Sequence, residues 1–166
     1  MNPDRLVVVA LGSNLGESAE ILRSAFVRLR SLAAGFFAAS ALWRSLPVDC
    51  PPGSPDFLNA VVVFEAGPEL EALPLLRQMQ AWECGSGRQP KIVRNEARPL
   101  DLDLIAFGQL QLQTEELILP HPRAHLRSFV LNPLVEIMPE FRLPGIAATV
   151  RELAGGCDGD CFRLAG

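Results

Sequence analysis

Apolar residues change between strand-like and helical spacing along the first part of the chain. The run from Arg5 to Leu11 (RLVVVAL) is rich in β-branched residues and ends at Gly12-Ser13-Asn14, which predicts a buried strand followed by a turn. From Glu17 to about Ala34, apolar residues recur at helical spacing, and Gly35 is expected to end that helix. Residues 36–44 (FFAASALWR) predict a second strand.

The middle of the chain predicts loop, strand, helix and loop in turn. Residues 45–56 hold four of the chain's 14 prolines and are expected to form a loop. Residues 57–65 (FLNAVVVFE) predict a third strand. A helix is expected to begin at Gly67-Pro68-Glu69, with Pro68 near its first position, and to run to about Cys84. A polar, arginine-rich loop follows over residues 85–97.

The last part of the chain completes an α+β pattern. Residues 100–107 alternate between apolar residues and aspartates, which predicts a fourth strand, with a hairpin partner in residues 110–113. Further structure is expected at residues 129–137 and in a weak helix over residues 147–153. The order strand, helix, two strands, helix, strand predicts a ferredoxin-like βαββαβ sandwich with additional C-terminal strand and helix elements, in one domain spanning residues 1–166.

Composition and charge narrow the classes of function. The 166 residues are 49% hydrophobic and 20% charged, which is ordinary for a folded domain. A formal charge of -4 and a pI near 5.2 argue against non-specific binding to nucleic acid or anionic membrane. No apolar run approaches the ~20 residues that span a bilayer, and the N-terminal residues show no cleavage-site pattern, so a cytoplasmic location is expected. The four cysteines are expected to be reduced thiols, because the chain is neither short nor visibly secreted.

Asp101 and Asp103 are the strongest candidates for metal binding. In a strand, residues two apart point out of the same face, with Cα atoms about 6.5 to 7 Å apart. Magnesium favours one or two carboxylates together with substrate phosphates and water. A solvated strand face is the competing interpretation of such a pair, but the apolar frame of Leu100, Leu102, Leu104 and Ile105 indicates a central strand, where carboxylates need partners.

Basic residues cluster in two places on this otherwise acidic chain. The first cluster lies within eleven residues and the second flanks His125; they comprise Arg88, Lys91, Arg94 and Arg98, and Arg123 and Arg127. Arginine offers phosphate a bidentate hydrogen bond, although a solubilising loop has a similar composition. His121, between Pro120 and Pro122, is placed to donate to a phosphate oxygen or to act as an acid, and a turn histidine without function would look the same.

Two aromatic residues and an amide suggest a site for a flat, polar ligand. Phe57 and Asn59 point the same way along the predicted third strand, and Phe129 lies further along the chain. Aromatic faces can enclose a heterocycle while an amide forms hydrogen bonds with its polar edge. Ordinary core packing is the alternative interpretation for either phenylalanine.

The chain resembles the 6-hydroxymethyl-7,8-dihydropterin pyrophosphokinases. The resemblance extends over nearly the whole sequence and rests on these segments: Leu11-Gly12-Ser13-Asn14-Leu15-Gly16, Trp43-Arg44-Ser45, Pro55-Asp56-Phe57-Leu58-Asn59, Arg98-Pro99-Leu100-Asp101-Leu102-Asp103-Leu104, Leu119-Pro120-His121-Pro122 and Arg127-Ser128-Phe129-Val130-Leu131-Asn132-Pro133-Leu134. The Asp-x-Asp segment followed about 18 residues later by the Pro-His segment is a specific combination.

The resemblance implies a reaction and a set of roles. The family transfers the β,γ-pyrophosphoryl group of ATP to the hydroxymethyl oxygen of the pterin, giving AMP and the pterin diphosphate in folate biosynthesis. It implies two magnesium ions on Asp101 and Asp103, which are expected to be catalytic together with Arg88 and Arg98. The pterin is expected to contact Ser45, Pro47, Val48, Phe57, Asn59 and Phe129. The nucleotide is expected to contact Glu83, Arg88, Lys91, Arg98, Ile118, His121 and Arg127. The expected partners are these two small molecules alone, bound by a monomer.

The loop before the aspartates departs from the family pattern. Where the family usually has an Arg-x-Arg pair and a Trp-Gly-Pro-Arg segment, this chain has Arg88-Gln89-Pro90 and Asn95-Glu96-Ala97-Arg98, and Pro122 follows the histidine where an aromatic residue is frequent. One charged contact to a phosphate is typically worth about 1.5 to 3 kcal/mol, so weaker ATP binding or slower turnover is expected. A relative that binds pterin or nucleotide without efficient transfer, and a two-metal phosphohydrolase, are the alternative functions.

Overall fold

A computed structural model describes residues 1–46, 52–86, 99–157, 159 and 161–164. Its strands are β1 (Leu6–Ser13), β2 (Ala33–Ala39), β3 (Trp43–Ser45), β4 (Phe57–Ala66), β5 (Asp101–Phe107), β6 (Leu112–Gln113), β7 (Ile118–Leu119) and β8 (Cys161–Arg163). Its α-helices are α1 (Ser18–Arg30), α2 (Ala72–Gly85), α3 (Ser128–Ile137) and α4 (Val150–Gly155). None of these helices is long and apolar enough to cross a membrane.

The main sheet has the ferredoxin-like order that the pattern predicts. Its strands follow the order β5-β1-β4-β3-β8, β2 pairs with another part of β4, and all paired neighbours are antiparallel. The α+β, βαββαβ prediction is therefore confirmed. β5 lies at the edge of this sheet, so the prediction that the aspartates occupy a central strand is wrong. The apolar residues of β5 are buried by helical layers above and below it, not by strands on both sides.

Two hydrophobic cores lie on opposite faces of the sheet. One face packs against α1 and α2, through residues that include Val9 and Leu102. The other face packs against α3 and α4, through residues that include Val61 and Leu131. The C-terminal helices α3 and α4 thus form a third layer, and the alternation of side chains along each strand decides which layer a residue faces.

The first two predicted helices begin or end at residues other than those expected. α1 ends at Arg30 because Ala33 already pairs with Ala66, so strand pairing overrides the helical preference of the alanines. α2 begins at Ala72, after a turn in which the Leu70 N–H donates to the Gly67 carbonyl at 3.1 Å. The guanidinium of Arg5 donates to the carbonyls of Gly67 and Leu70, which stabilises this turn.

Two strand predictions also need correction. The single strand expected over residues 36–44 is divided into β2 and β3, because the hydroxyl of Ser40 accepts the Val61 N–H at 3.0 Å in place of a backbone carbonyl. The hairpin partner expected over residues 110–113 forms, as β6, but it pairs with β7 and not with β5. The 114–117 turn is closed by Thr114, whose N–H and hydroxyl both donate to the Leu117 carbonyl.

The turn that follows β5 requires glycine at position 108. Gly108 has φ +55°, and its N–H donates to the Leu6 carbonyl at 2.7 Å. A Cβ at this position would overlap the carbonyl oxygen of Asp4. Both the backbone conformation and the close approach therefore exclude a side chain.

We predict that Gly108→Ala lowers the free energy of unfolding by more than about 2 kcal/mol, because strain in φ adds to a backbone overlap. Gly53→Ala is a matched control, since Gly53 has φ +80° and no atom within 4 Å of an added Cβ. It should cost about 1 to 2 kcal/mol, for the backbone conformation alone. Urea unfolding of both variants measures the difference, and equal losses would contradict the overlap with Asp4.

Candidate functional site

Asp101 and Asp103 lie on the face of the sheet that carries α3. They alternate along β5 with Leu102 and Leu104, which are buried in the core under α1 and α2. Across the ladder, Asp101 lies opposite Gly12 and Asp103 opposite Ala10. Both aspartates are partly exposed, so their carboxylates are accessible to a ligand on this face.

A row of residues across three strands connects the aspartates with Asn59. Gly12 in β1 lies opposite Asp101 on one side and opposite Asn59 on the other. An added Cβ on Gly12 would lie 3.6 Å from the Asn59 Oδ1 and 3.8 Å from the Phe57 ring. Because Gly12 has no side chain, the row has no side chain between the Asp101 carboxylate and the Asn59 amide. The Phe57 ring lies on the same side of this gap as the amide.

The amide of Asn59 is held in one orientation by Ser45. Asn59 is buried, and its Nδ2 donates to the Ser45 Oγ at 2.7 Å. Ser45 lies opposite Phe57 across the β3–β4 ladder, so all three side chains share the α3 face. This bond uses one of the two N–H donors of the amide, and the other donor and Oδ1 complete its capacity for hydrogen bonding. The predicted alignment of Phe57 with Asn59 is confirmed.

The loop before Phe57 is held by the Gly12-Ser13-Asn14 segment. The buried amide of Asn14 donates through Nδ2 to the Pro55 carbonyl at 3.3 Å. Ser13 contacts Ser18 at the start of α1, with 2.9 Å between the two hydroxyl oxygens. The segment thus joins the end of β1 to the beginning of α1 and to the approach to β4.

Arg127 and Phe129 reach the same region from the start of α3. Arg127 is the residue immediately before α3, and its Nη1 lies 3.9 Å from the Asp103 Oδ2. The Arg127 guanidinium also lies 5.4 Å from the centroid of the Phe129 ring, within the range of a cation–π contact. Carboxylate, guanidinium and aromatic ring therefore form one continuous group beside β5.

His121 is held as a neutral imidazole. Its pKa is lowered to about 4, first by burial and then by the positive charges of Arg127 and Arg123, while Asp101 opposes the shift. The Nδ1 of His121 accepts the Arg123 N–H at 3.2 Å, which assigns the proton to Nε2. His121 thus offers an N–H donor on the side of the ring away from its own backbone turn. Because Asp101 and Arg127 both influence its pKa, His121 belongs to the same region.

Glu83 and Ile118 occupy different environments from the residues above. Glu83, near the end of α2, is only 7% exposed, and its Oε2 accepts the Leu102 N–H at 2.8 Å. Ile118, in β7, has 40% of its surface exposed and precedes the Leu119–Pro120 segment that leads to His121. The prediction that both contact a nucleotide stays untested.

Five of the predicted site residues lie outside the described residues: Pro47 and Val48 of the first loop, and Arg88, Lys91 and Arg98 of the second. The described residues that flank the second loop are Ser86 and Pro99, the latter two positions before Asp101. The described chain therefore resumes two positions before the carboxylate pair.

The donor set suits a hard divalent cation that arrives with a ligand. In the part of the chain that the structure describes, no group of three or more His, Cys, Asp or Glu residues is placed to hold a metal. Asp101 and Asp103 instead supply two carboxylates on one partly exposed face, which fits magnesium completed by phosphate and water oxygens. It does not fit a tetrahedral zinc site.

Contacts that the sequence did not predict join the elements that carry this site. The carboxylate of Glu136, in α3, accepts from the Ala41 N–H at 2.9 Å, the Trp43 Nε1 at 3.1 Å and the Arg163 Nε at 3.3 Å. It therefore joins α3, which carries Phe129, to β3, which carries Ser45, and to β8. A C-terminal strand was predicted, but not the position of β8, in which Cys161 lies opposite Ser45. No periodic pattern marks these contacts, because each joins residues far apart in the chain.

The family model for 7,8-dihydro-6-hydroxymethylpterin-pyrophosphokinase (HPPK) matches residues 8–139. The 2-amino-4-hydroxy-6-hydroxymethyldihydropteridine pyrophosphokinase of Haemophilus influenzae is 37% identical over 137 residues, which cover 82% of this chain and 83% of that protein. The protein of the same name from Pseudomonas aeruginosa is 38% identical over 139 residues, which cover 83% of each chain.

Solved structures show the same fold at low sequence identity. A structure of HPPK-DHPS in complex with substrates has a TM-score of 0.72 at 13% identity, covering 93% of this chain and 43% of that one. A Plasmodium falciparum HPPK-DHPS gives 0.69 at 14% identity, covering 91% and 43%. This chain spans less than half of those chains, and the likeness extends to the arrangement of the sheet and helices. From the match of residues 8–139 and the identity to both bacterial relatives, the chain belongs to the 7,8-dihydro-6-hydroxymethylpterin-pyrophosphokinase family.

Proposed function

We propose that this chain transfers pyrophosphate from ATP to the hydroxymethyl group of 6-hydroxymethyl-7,8-dihydropterin, giving AMP and the pterin diphosphate. The observation that carries the proposal is the row in which Asp101, Gly12 and Asn59 are direct neighbours on one face. It places a pair of carboxylates beside an oriented amide, with no side chain between them. A small polar heterocycle bound at the amide would have its substituent next to the ligand that the carboxylates bind.

The pterin end of the site is formed by Asn59, Ser45 and two aromatic rings. Ser45 fixes the Asn59 amide at 2.7 Å, so the amide can pair with the polar edge of a heterocycle without losing rotamer freedom on binding. Phe57 lies against Gly12 on the sheet, and Phe129 lies on α3, in the layer that covers this face. We assign the two rings to opposite sides of the pterin, where stacking favours a flat ligand. Pro47 and Val48 are expected to contact the same ligand.

The phosphate end of the site is formed by Arg127 and His121. The guanidinium of Arg127 supplies a permanent positive charge next to Asp103, and a planar fork that suits phosphate oxygens. The Nε2–H of His121 adds a neutral donor. Arg88, Lys91 and Arg98 are expected to complete this end, with Ile118 on the nucleotide. Charge neutralisation and positioning are the main requirements of phosphoryl transfer, so this set needs no protein nucleophile.

Asp101 and Asp103 would hold two magnesium ions that arrive with ATP. When bound, the ions neutralise phosphate charge and orient the reacting oxygens. In the reaction, the pterin hydroxyl forms a bond to the β-phosphorus of ATP, the bond from that phosphorus to the AMP oxygen breaks, and the hydroxyl proton passes to solvent. The protein residues orient both substrates from two layers, the sheet face and the start of α3 that covers it.

Single-domain organisation over residues 1–166, a monomeric state and a cytoplasmic location belong to the same proposal. The continuous sheet supports the first of these, because β8 near the C-terminus pairs with β3 next to the proposed pterin site. A chain with this topology uses its described C-terminal residues in the same sheet as its N-terminal strand.

We predict that the protein releases AMP from ATP only when magnesium and the hydroxymethylpterin are both present, and that Asp101→Ala lowers the rate at least about 100-fold. A metal ligand should matter at least as much as the residues that support one, which typically account for 10- to 100-fold. Chromatography of the nucleotide products measures the rate. Glu69→Gln is the control: this exposed carboxylate lies in the turn after β4, and its loss should leave the rate unchanged.

Two results would replace this function with an alternative. Pterin binding without detectable AMP would indicate a binding protein that has lost transfer through its altered loop. Inorganic phosphate released without pterin would indicate a phosphohydrolase.

We predict that neutral His121 makes stability depend on pH between about 6.5 and 4. Its pKa is about 4 in the folded protein and near 6.5 in the unfolded chain, so the unfolded state binds the proton first as pH falls. The contribution of His121 is therefore complete above pH 6.5 and is lost as pH falls towards 4. Urea midpoints of the wild type and His121→Gln, compared at pH 7.5, 5.5 and 4.5, should converge or cross as pH falls. A constant difference would contradict the lowered pKa.

A further inference from the structure

Glu83 accepts a hydrogen bond from the backbone of the one residue that lies between the two aspartates. Its Oε2 accepts the N–H of Leu102 at 2.8 Å, and Leu102 stands between Asp101 and Asp103. Glu83 is only 7% exposed, although carboxylates are rarely this buried. The contact joins α2 to β5 at the site.

β5 needs such a contact because it is the edge strand of the sheet. On one side, β1 fixes β5 through the pairs Gly12–Asp101, Leu11–Leu102 and Ala10–Asp103. The sheet order places no strand of the main sheet on the other side of β5 within the described chain. The Glu83 carboxylate supplies an acceptor at that edge, as the carbonyl of a neighbouring strand would.

Fixing the Leu102 N–H also fixes the direction of the aspartate side chains. The peptide group between Asp101 and Leu102 is planar, so a bond to its N–H restrains the Cα atoms of both residues together. Leu102 points into the core under α1 and α2, and the aspartates point to the opposite face. A rotation of this peptide would turn the Asp101 carboxylate relative to Asp103. Glu83 therefore acts on the carboxylate pair through the backbone, from the opposite face of the sheet.

We propose that Glu83 is a positioning residue that holds Asp101 and Asp103 in the spacing required for magnesium, through its bond to the Leu102 N–H. This inference rests on the proposed function, and it differs from a direct contact of Glu83 with the nucleotide. The role requires an acceptor oxygen at the length of a glutamate side chain. It does not require a negative charge.

Three substitutions separate the acceptor from the charge and from side-chain volume. Glu83→Gln keeps an acceptor oxygen at the same length without the charge. Glu83→Met keeps the volume and removes the acceptor, and Glu83→Asp keeps the charge but is too short to reach Leu102. Positioning predicts that the glutamine variant resembles the wild type, whereas the methionine and aspartate variants are impaired together.

The first measurement follows the Leu102 amide and does not depend on turnover. Hydrogen exchange at the Leu102 N–H, followed by NMR, should accelerate at least about tenfold in Glu83→Met and Glu83→Asp and stay within about threefold of wild type in Glu83→Gln. The exchange of Val62 in the centre of the sheet reports global stability in the same samples. If exchange at the Val62 N–H accelerates equally, the variant has lost global stability. The comparison of Glu83→Gln with Glu83→Asp, both of which keep a polar side chain, then decides whether an acceptor at the length of glutamate is required.

The second measurement is the magnesium dependence of ATP binding and of AMP release. The magnesium concentration for half-maximal ATP binding, measured by calorimetry, should rise about 10- to 100-fold in Glu83→Met and Glu83→Asp, as for other residues that orient a metal ligand. The KM for the pterin should change less than about threefold. In Glu83→Gln, the magnesium concentration for half-maximal ATP binding should stay close to that of the wild type.

Two outcomes would overturn the positioning role. Glu83→Gln as impaired as Glu83→Met, with weaker ATP binding even at saturating magnesium, would indicate a charged contact with the nucleotide. An unchanged magnesium dependence in Glu83→Met would show that the edge bond does not control the aspartates. If the wild type releases no AMP, the proposed function fails, while the amide exchange and the magnesium titration still decide the role of Glu83.

Discussion

The antiparallel register of β1 between β4 and β5 is the constraint on which the site depends. β1 is buried along its whole length, and its ladder places Gly12 directly between Asp101 and Asn59. These two residues are far apart in the sequence, yet backbone pairing makes their separation a fixed number of strand spacings, each about 4.8 Å. The relative positions of these groups are therefore set by the backbone and not by flexible side chains. The acidic and amide parts of the site are positioned as soon as the sheet forms.

The second layer of the site depends on how α3 is attached to the sheet. Arg127 and Phe129 lie at the start of α3, and Glu136 lies in the same helix. Glu136 accepts hydrogen bonds from Ala41 and Trp43, which lie in or next to the strand that carries Ser45. The helix thus contacts the sheet at both ends of the site region, through Arg127 at Asp103 and through Glu136 at β3. Packing in the core beneath α3 supplies the rest of the attachment.

Periodicity predicted the elements well, because each strand and helix has a buried face that local sequence displays. It failed where a distant residue decides the local structure. Ala33 and Ala34 favour helix by propensity, but pairing with β4 makes them strand. The apolar frame of β5 indicated a central strand, although burial between two helical layers gives the same pattern at an edge. The contacts of Glu136 and the position of β8 gave no signal, since their partners are separated from them by many residues.

Within the candidate site, alternation was sufficient to place Asp101 with Asp103, and Phe57 with Asn59, on common faces. The sequence alone did not indicate that Gly12 separates these two pairs, because register between strands depends on the complete set of buried residues. Similarly, the lowered pKa of His121 depends on burial and on two arginines, one of them at the start of α3, and no local pattern records this environment.

The aspartates also help to specify the register that positions them. Slipping β5 by one residue would turn Asp101 and Asp103 into the core under α1 and α2, where Leu102 and Leu104 now lie. Burial of a carboxylate without a partner costs several kcal/mol, and the slip would bury two of them while exposing the leucines. The slipped pairing is therefore strongly disfavoured, even though an edge strand is held by only one neighbouring strand. The residues proposed to bind the metal are thus also residues that prevent the sheet from assembling in a form that could not bind it.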